Sequence, residues 1–439
     1  MVNIDVISAL AQRWPENKIN PSLDRVKLLL DYLGNPQDGL KAIHIAGTNG
    51  KTSTSRMVER LLRGLDLRTG LYTSPHLIHP RERICIDGIP VSKEYFQEIY
   101  EHVAPFLELV DKNDPASPIT FFEVITAMAF NSFADTPVDV ISLEVGMGGI
   151  WDATNVLIPQ VCVITPIDLD HQEFLGETIE KIAGEKAGII KNNIPVVIGK
   201  QHKAAAQVIQ EKAFELNCVT FREGIEFDVL DRSIAIGGQQ VSIANPFGKH
   251  EDLFLPLFGK YQASNAACAL TAVEAFLDKQ LDHEIVQEAF SEFTSPGRLQ
   301  IVKRNPTIVI DAAHNPAGIQ ATKQALAESF NFGKTILILA FMKDKDVENI
   351  LHELDGFAQT VILTQTKSTR CLPVRELALK VSEFQTFAEE LLVSENSEEA
   401  VKLAITKASQ SGNSAGILVL GSIVLAGEVS ALLLAKGKK

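Results

Sequence analysis

Short apolar runs alternate along this chain with longer stretches of helical periodicity. Runs rich in Val, Ile and Leu at 42–46, 140–144, 161–165, 196–198, 308–311, 336–340, 361–364 and 417–420 predict buried strands. Residues 51–62, 123–133, 178–190, 204–215, 262–277, 317–329 and 423–434 predict helices, the first ending near Gly64. Strand–helix alternation of this kind predicts parallel sheets covered by helices on both faces. Residues 219–258 break the rhythm with short polar–apolar alternation and Gly237-Gly238, which predicts a hairpin or small antiparallel patch. Thr294-Ser295-Pro296-Gly297 is the best turn cluster for a domain boundary. The expected organisation is a large α/β domain over residues 1–296 and a smaller one over 297–439. A ligand site at the C-terminal ends of their strands is the default expectation.

Residues 415–436 are nearly all apolar, but Gly421-Ser422 and Glu428 interrupt them. A buried strand, a tight turn and an amphipathic helix fit better than a membrane span, where Glu428 would be costly. The N-terminus has no basic leader pattern and predicts no signal peptide.

The chain has 439 residues, 46% of them hydrophobic, and a formal charge of −14. That balance argues against a broad nucleic-acid face and leaves room for a local basic phosphate pocket. Five cysteines, none spaced as Cys-x-x-Cys, argue against a disulfide framework or a cysteine zinc site. The chain reads as cytoplasmic.

The strongest chemical signal is Ile43-His44-Ile45-Ala46-Gly47-Thr48-Asn49-Gly50-Lys51-Thr52-Ser53. A buried strand enters a glycine turn and then a helix, so backbone N–H groups and the helix dipole can receive phosphates. Lys51 can reach the β- and γ-phosphates, and the Thr52 hydroxyl can join a Mg²⁺ shell. Glu144 ends an apolar strand before Gly146, where a nucleotide site needs a Mg²⁺ carboxylate. His171 follows the strand 161–165 and is expected in the same crevice. These features alone leave kinase, GTPase, transport ATPase and ligase open.

Further strings run in order along nearly the whole chain. They are Pro21-Ser22-Leu23-Asp24-Arg25, Gly47-Thr48-Asn49-Gly50-Lys51, Tyr72-Thr73-Ser74-Pro75-His76-Leu77 and Glu82-Arg83-Ile84. Glu144-Val145-Gly146-Met147-Gly148-Gly149, Asp152-Ala153-Thr154-Asn155, Asp170-His171 and Glu185-Lys186-Ala187-Gly188 follow. Pro296-Gly297-Arg298-Leu299, Asp311-Ala312-Ala313-His314-Asn315-Pro316 and Gly421-Ser422 complete the set. With these strings the chain resembles the folylpolyglutamate synthase family, often also dihydrofolate synthases, within the Mur ligase superfamily.

The resemblance implies a P-loop ATPase domain with a mostly parallel sheet, plus a Rossmann-like C-terminal domain. It implies ATP-dependent amide ligation through an acyl phosphate, with folate or dihydropteroate and L-glutamate as substrates and a monomeric enzyme without nucleic-acid or membrane partners. It implies that Gly47, Thr48, Asn49, Gly50, Lys51, Thr52 and Ser53 hold ATP, together with Asn265, Arg298 and Asp311. Ser74, Glu144 and Thr52 would serve one Mg²⁺, and Glu144 with His171 a second, with K⁺ a candidate further cation. Lys51, Lys186, His171 and His314 would be catalytic, Lys186 as a carbamate formed on a neutral amine. Domain closure would exclude water from the acyl phosphate.

Three positions depart from the family pattern: Ile150 where it has Arg, Tyr261 where it has His, and Thr52 where many members have Gly. The nearest alternative is a peptidoglycan-type Mur ligase acting on a UDP-muramyl substrate. Against it stand the Tyr72–Leu77 and Glu82–Ile84 strings and a phosphate loop that begins as early as residue 47. A GTPase-like switch would need Asn-Lys-x-Asp, and Asn17-Lys18-Ile19-Asn20 lacks the aspartate.

Overall fold

The computed structural model describes residues 6–13, 21–411 and 414–436. The Asn17-Lys18-Ile19-Asn20 string and part of the N-terminal stretch read above lie outside them. The chain divides into two compact units. One takes residues up to Ser233, Gln240–Leu255 and Gln262–Phe293. The other takes Ile234–Gln239, Pro256–Tyr261 and everything from Thr294.

The first unit is built on β1 (Ala42–Ala46), β2 (Thr69–Tyr72), β3 (Ile84–Ile86), β4 (Ile89–Pro90), β5 (Val140–Glu144), β6 (Val161–Ile164), β7 (Val196–Ile198) and β8 (Thr220–Arg222). Their order is β4-β3-β2-β5-β1-β6-β7-β8. From β2 to β8 neighbouring strands pair in parallel, and β3 and β4 add an antiparallel edge. Strands β1 and β5 are buried along their whole length, which explains why their sequences are mostly apolar.

Two cores line one face of this sheet, the face that carries Ala42, Ala46, Leu143 and Cys162. One gathers Leu29, Ile99, Val103, Ile125 and Phe130 from the helices Asp24–Tyr32, Lys93–Asn113 and Phe121–Asp135. The other gathers Ile182, Ala187, Ala205 and Ile209 from the helices Ile179–Ala187 and Lys203–Glu215. The 21-residue helix Lys93–Asn113 was not among the helices expected above. Pro105 interrupts its pattern, while its apolar stripe Phe96, Ile99, Tyr100, Val103 and Leu107 packs inward.

The patch expected at 219–258 resolves into two parts. β8 joins the parallel sheet, and β9 (Asp228–Ala235), β10 (Gly238–Asn245) and β11 (Gly248–Leu255) form a three-stranded meander with two-residue connections.

The second unit carries β12 (Gln300–Arg304), β13 (Thr307–Ile310), β14 (Lys334–Leu339), β15 (Thr360–Leu363), β16 (Glu390–Val393) and β17 (Ala415–Leu420), in the order β12-β13-β17-β14-β15-β16. All pair in parallel except the edge strand β12. The last strand, β17, inserts between β13 and β14, creating the order reversal beside which α/β folds bind ligands.

The apolar segment at the end of the chain is β17 and the helix Ile423–Lys436. In that helix Leu425, Ala426, Val429 and Ser430, which share one face, are buried, and Leu434 is exposed. Glu428 accepts hydrogen bonds from the Lys367 amide and the Ser397 hydroxyl. Among the described residues no helix is long and apolar enough to cross a membrane.

Candidate active site

The phosphate loop leaves the C-terminal end of β1 and is shaped by what presses on it. Gly47 lies at φ +150°, and a Cβ there would sit 1.9 Å from Thr165 Oγ1 and 2.9 Å from the Thr165 carbonyl. Gly50 caps the helix Lys51–Arg63 at φ +90°, with Asn265 Oδ1 2.4 Å from where a Cβ would be. No side chain fits at either place, which is the local reason for both glycines.

The amides of Thr48 and Asn49 do not both point into a phosphate cradle as expected. Each donates to the Pro166 carbonyl, at 3.0 and 3.1 Å. The Thr48 hydroxyl exchanges hydrogen bonds with the Asp168 backbone, at 3.1 Å in each direction. These contacts moor the loop to the exit of β6. An anion would therefore draw on the helix N-terminus that begins at Gly50. Ser53 is buried in that first turn.

Two lysines converge on one acceptor. Lys51 Nζ and Lys186 Nζ each donate to the Gly47 carbonyl at 2.9 Å, and Lys51 also reaches the Thr48 carbonyl at 3.3 Å. Beside them, the Glu144 carboxylate accepts from Thr52 Oγ1 at 2.8 Å and from the Ser74 amide at 3.2 Å. Sequence-distant residues on β1, β5 and the loop after β2 thus meet because β2, β5 and β1 are adjacent parallel strands ending on one side.

Lys186 is 4% exposed, not the solvated lysine its sequence suggests. Burial, then the nearby Lys51 charge, lowers its pKa to about 7, against the pull of Asp170, Asp152 and Glu185. Its helix is fixed by close backbone approaches. A Cβ at Gly149 would meet the Glu185 carbonyl at 2.3 Å, and one at Gly188 would meet Ile150 Cγ1 at 2.2 Å. Asn155 Nδ2 ties the Ile150 and Gly188 carbonyls together, at 3.1 and 3.2 Å, and Lys191 Nζ holds Asn155 Oδ1 at 2.6 Å. The helix ends at Ala187, short of the expected residue 190, because Gly188 turns under Ile150. Ile150 itself is half exposed.

Asp152 is buried and accepts from the Met147 amide, the Thr154 amide and Thr154 Oγ1. Burial raises its pKa against those bonds. With its own proton committed to Asp152, Thr154 Oγ1 accepts from His44 Nε2 at 2.8 Å. His44 is fully buried, and desolvation with Lys191 brings its pKa down to about 3. His171 stands at φ +52° as the N-cap of the helix Gln172–Leu175, with Nε2 3.8 Å from Asp170 Oδ2.

The Ser74 loop is a built structure. Glu82 accepts from the amides of Leu77, Ile78 and His79. The buried Arg83 donates from Nε to His76 Nδ1 at 3.0 Å and lies over the Phe121 ring. Farther out, Arg25 makes a buried pair with Glu123 and donates to Ser117 Oγ. These bonds give the Pro21–Val26 and Glu82–Ile84 strings a supporting role. Two residues that hold the phosphate loop were missed by sequence reading: Thr165, against Gly47, and Gln201, which bonds the Ile164 and Thr165 carbonyls and the Ile167 amide. Gln201 carries no local signal, since nothing near it forms a motif.

In the first unit Asn265 donates to Gln262 Oε1 at 3.1 Å. In the second unit Asp311 is buried at the end of β13. Its carboxylate accepts from the amides of Leu299 and Ala313, both at 2.8 Å, and from Thr322 Oγ1 at 3.2 Å. Burial raises its pKa, opposed by Arg298. His314 Nδ1 lies 2.9 Å from the Ala312 carbonyl, which orients the ring.

Among the described residues no three His, Cys, Asp or Glu side chains form a ready-made cation cage. What is present is one carboxylate with a hydroxyl on it and Ser74 beside it. That hard-oxygen set suits a Mg²⁺ whose remaining ligands come from phosphates and water.

This fold and site define a nucleotide-dependent ligase. Residues 45–273 match the Mur ligase middle domain family, and residues 297–423 match the Mur ligase glutamate ligase domain family. A dihydrofolate synthase/folylpolyglutamate synthase of Mycobacterium tuberculosis is 43% identical, over 98% of this chain and 93% of its own. One of the same name from Bacillus subtilis is 35% identical over 78% and 80%. Mycobacterium tuberculosis folylpolyglutamate synthase complexed with ADP and AMPPCP superposes with a TM-score of 0.92 at 44% identity, covering 98% of this chain and 97% of that one. Escherichia coli FolC in complex with DHPP and ADP gives 0.85 at 26% identity, over 98% and 97%. The chain belongs to the dihydrofolate synthase/folylpolyglutamate synthase family of the Mur ligase superfamily, and is an ATP-dependent amide-forming ligase. These relatives favour the folate reading over the UDP-muramyl alternative.

Proposed function

We propose that this protein joins L-glutamate to folates at the expense of ATP, and makes dihydrofolate from dihydropteroate by the same chemistry. The observation that carries the reading is the meeting of Lys51, Lys186 and the Thr52–Glu144–Ser74 cluster around the Gly47 turn, in a chain 43% identical to an enzyme of that name.

A carboxylate of the acceptor attacks the γ-phosphorus, the bond to ADP breaks, and an acyl phosphate forms. The amine of L-glutamate then attacks the carbonyl carbon, phosphate leaves, and the nitrogen loses a proton as the amide forms. The first step brings an anion against a polyanion, so charge neutralisation is the main requirement. Lys51 is the cation positioned for it, and would exchange the loop carbonyls for phosphate oxygens.

Mg²⁺, when bound, would neutralise and orient the phosphates. Thr52, Ser74, Glu144 and His171 are the residues we assign to hold one or two such ions. Lys186, buried and poised near neutrality, is suited to carbamylation, which requires the free amine. Asn265, Arg298 and Asp311 are our candidates for nucleotide contacts, with His314 near the reacting groups. We read the protein as a cytoplasmic monomer, a location in keeping with its five free cysteines.

The test is phosphate release from MgATP and L-glutamate, with dihydropteroate and tetrahydrofolate compared as acceptors and products weighed for one added glutamyl unit. Turnover with both supports the reading. Turnover with tetrahydrofolate alone removes the dihydrofolate synthase half, and turnover with neither sends the search to UDP-linked acceptors.

A further inference from the structure

A circuit of hydrogen bonds in the first unit runs from one end of the phosphate loop to the other. At the exit of β6 the Pro166 carbonyl takes the Thr48 and Asn49 amides. Gln201, which follows β7, grips the backbone on both sides of Pro166. Its neighbour Lys200 donates its amide to Glu223 Oε2 at 2.7 Å. The other oxygen of that carboxylate accepts from Ser264 Oγ, in the helix Lys260–Leu277. Ser264 precedes Asn265, whose Oδ1 occupies the space beside Gly50 where a side chain would stand. Strands β6, β7 and β8 are adjacent and parallel, which is why residues 166, 201 and 223 meet at one edge of the site.

Glu223 is the link between the strand exits and the helix. It is well anchored: its amide continues the β7–β8 ladder by donating to the Ile198 carbonyl at 2.9 Å. The adjacent Arg222 is engaged by Glu226, so the Glu223 carboxylate turns to the Lys200 amide and the Ser264 hydroxyl. Packing also brings the helix against β7, since a Cβ on Gly199 would lie 3.1 Å from Cys268 Sγ. Such a contact sets how close the helix comes. A charge-assisted hydrogen bond is directional, so it also fixes the helix's rotation and its slide along its axis. Those two freedoms decide where Asn265 stands.

We propose that Glu223 is a positioning residue for the nucleotide: through Ser264 it holds Asn265 against Gly50, so that loop and asparagine keep one spacing. The assignment rests on the nucleotide contact proposed above for Asn265, and it concerns two residues that none of the sequence strings contains. A displacement of about 1 Å in such a contact is enough to weaken a bound ligand's placement.

The experiment is calorimetric binding of MgADP to the full-length enzyme. Wild type, Glu223→Gln, Ser264→Ala, the double variant and Ser264→Thr are compared, with thermal melts and steady-state kinetics of all five. MgADP should bind about three- to tenfold more weakly to Glu223→Gln and to Ser264→Ala alike. The double variant should be no weaker than the worse single one, because both changes break one link. Ser264→Thr keeps the hydroxyl and should stay within about twofold of wild type. The KM for MgATP should rise by the same factor, while kcat and the KM values for L-glutamate and the folate acceptor move by less than about twofold. Unchanged MgADP affinity in Ser264→Ala overturns the proposal. So does a loss in Glu223→Gln that Ser264→Ala does not share, which would make Glu223 a direct nucleotide contact. A uniform rise in all three KM values with lowered melting temperatures overturns it as well, leaving the bond a purely structural one. If Glu223→Gln does not fold, Ser264→Ala decides, since it deletes a single hydroxyl. Wild type that binds MgADP without joining L-glutamate to a folate defeats the proposed function, whereas an active wild type with insensitive variants defeats only this inference.

Discussion

Lys51 and Lys186 donate to the same oxygen, the carbonyl of Gly47, each at 2.9 Å. Two amines on one acceptor disfavour each other's charge, and the buried one yields: Lys186 is brought to about pH 7. The phosphate-loop lysine therefore helps to keep the neighbouring lysine available as a free amine.

Lys186 should show this in stability. Unfolded, it stays charged up to its ordinary pKa of 10.5; folded, it is charged only below about 7. Between those values the unfolded chain binds more protons, so the group adds stability as pH rises, by roughly 1.4 kcal/mol per unit. Its burial cost is fully present below about pH 7. In CO₂-depleted buffer, the advantage of Lys186→Met over wild type should shrink from pH 7 to 9, measured by denaturant melts. A constant difference would contradict the buried-amine reading.

Carbamylation is a separate expectation. With ¹³C-bicarbonate, wild type should give a carbamate resonance that Lys186→Ala lacks, and the variant should lose turnover far more than ATP affinity. Full activity in Lys186→Ala would remove the lysine from the chemistry.

Lys51→Ala should lower turnover by about 10²- to 10³-fold or more, since the main cation at the phosphates is gone. Phosphate release at saturating MgATP measures it. Activity within tenfold of wild type would move the phosphate site elsewhere.

Gly50→Ala tests the shape of the loop. It places a Cβ at φ +90° and against Asn265 Oδ1, at a backbone cost on the order of 1–2 kcal/mol. ATP should bind at least several-fold more weakly by calorimetry. Adding Asn265→Ala should remove the clash but not the backbone strain, so stability should recover only in part.

His44 predicts acid sensitivity. Its folded pKa near 3 lies below its ordinary 6.5, so stability is lost as pH falls from about 6.5 toward 3, by roughly 1.4 kcal/mol per unit. His44→Gln keeps a donor for Thr154 and removes the titration, so its acid unfolding midpoint should lie lower. An unshifted midpoint would mean other groups govern acid unfolding.

Much of this protein could be read from local pattern. Mostly apolar runs marked β1, β5 and β17 because strands buried on both faces favour apolar side chains. Gly47 and Gly50 stood out because a turn into a helix N-terminus has few other solutions. The strings around Ser74, Glu144 and Lys186 identified a family. The helix Lys93–Asn113 escaped because Pro105 broke its period.

Whether a polar residue is buried depends on neighbours far along the chain, so only the tertiary structure could decide it. Lys186 looks like any helix lysine until Gly149, Gly188 and Asn155 close over its helix. The Thr48 and Asn49 amides look like phosphate donors until the Pro166 carbonyl takes them. Gln201 belongs to no motif, since its role comes from what parallel strand order brings beside it. Sequence determined which groups this enzyme possesses, because residue type sets chemistry. Folding decided which are desolvated and which are shared, because those properties arise only from through-space contact.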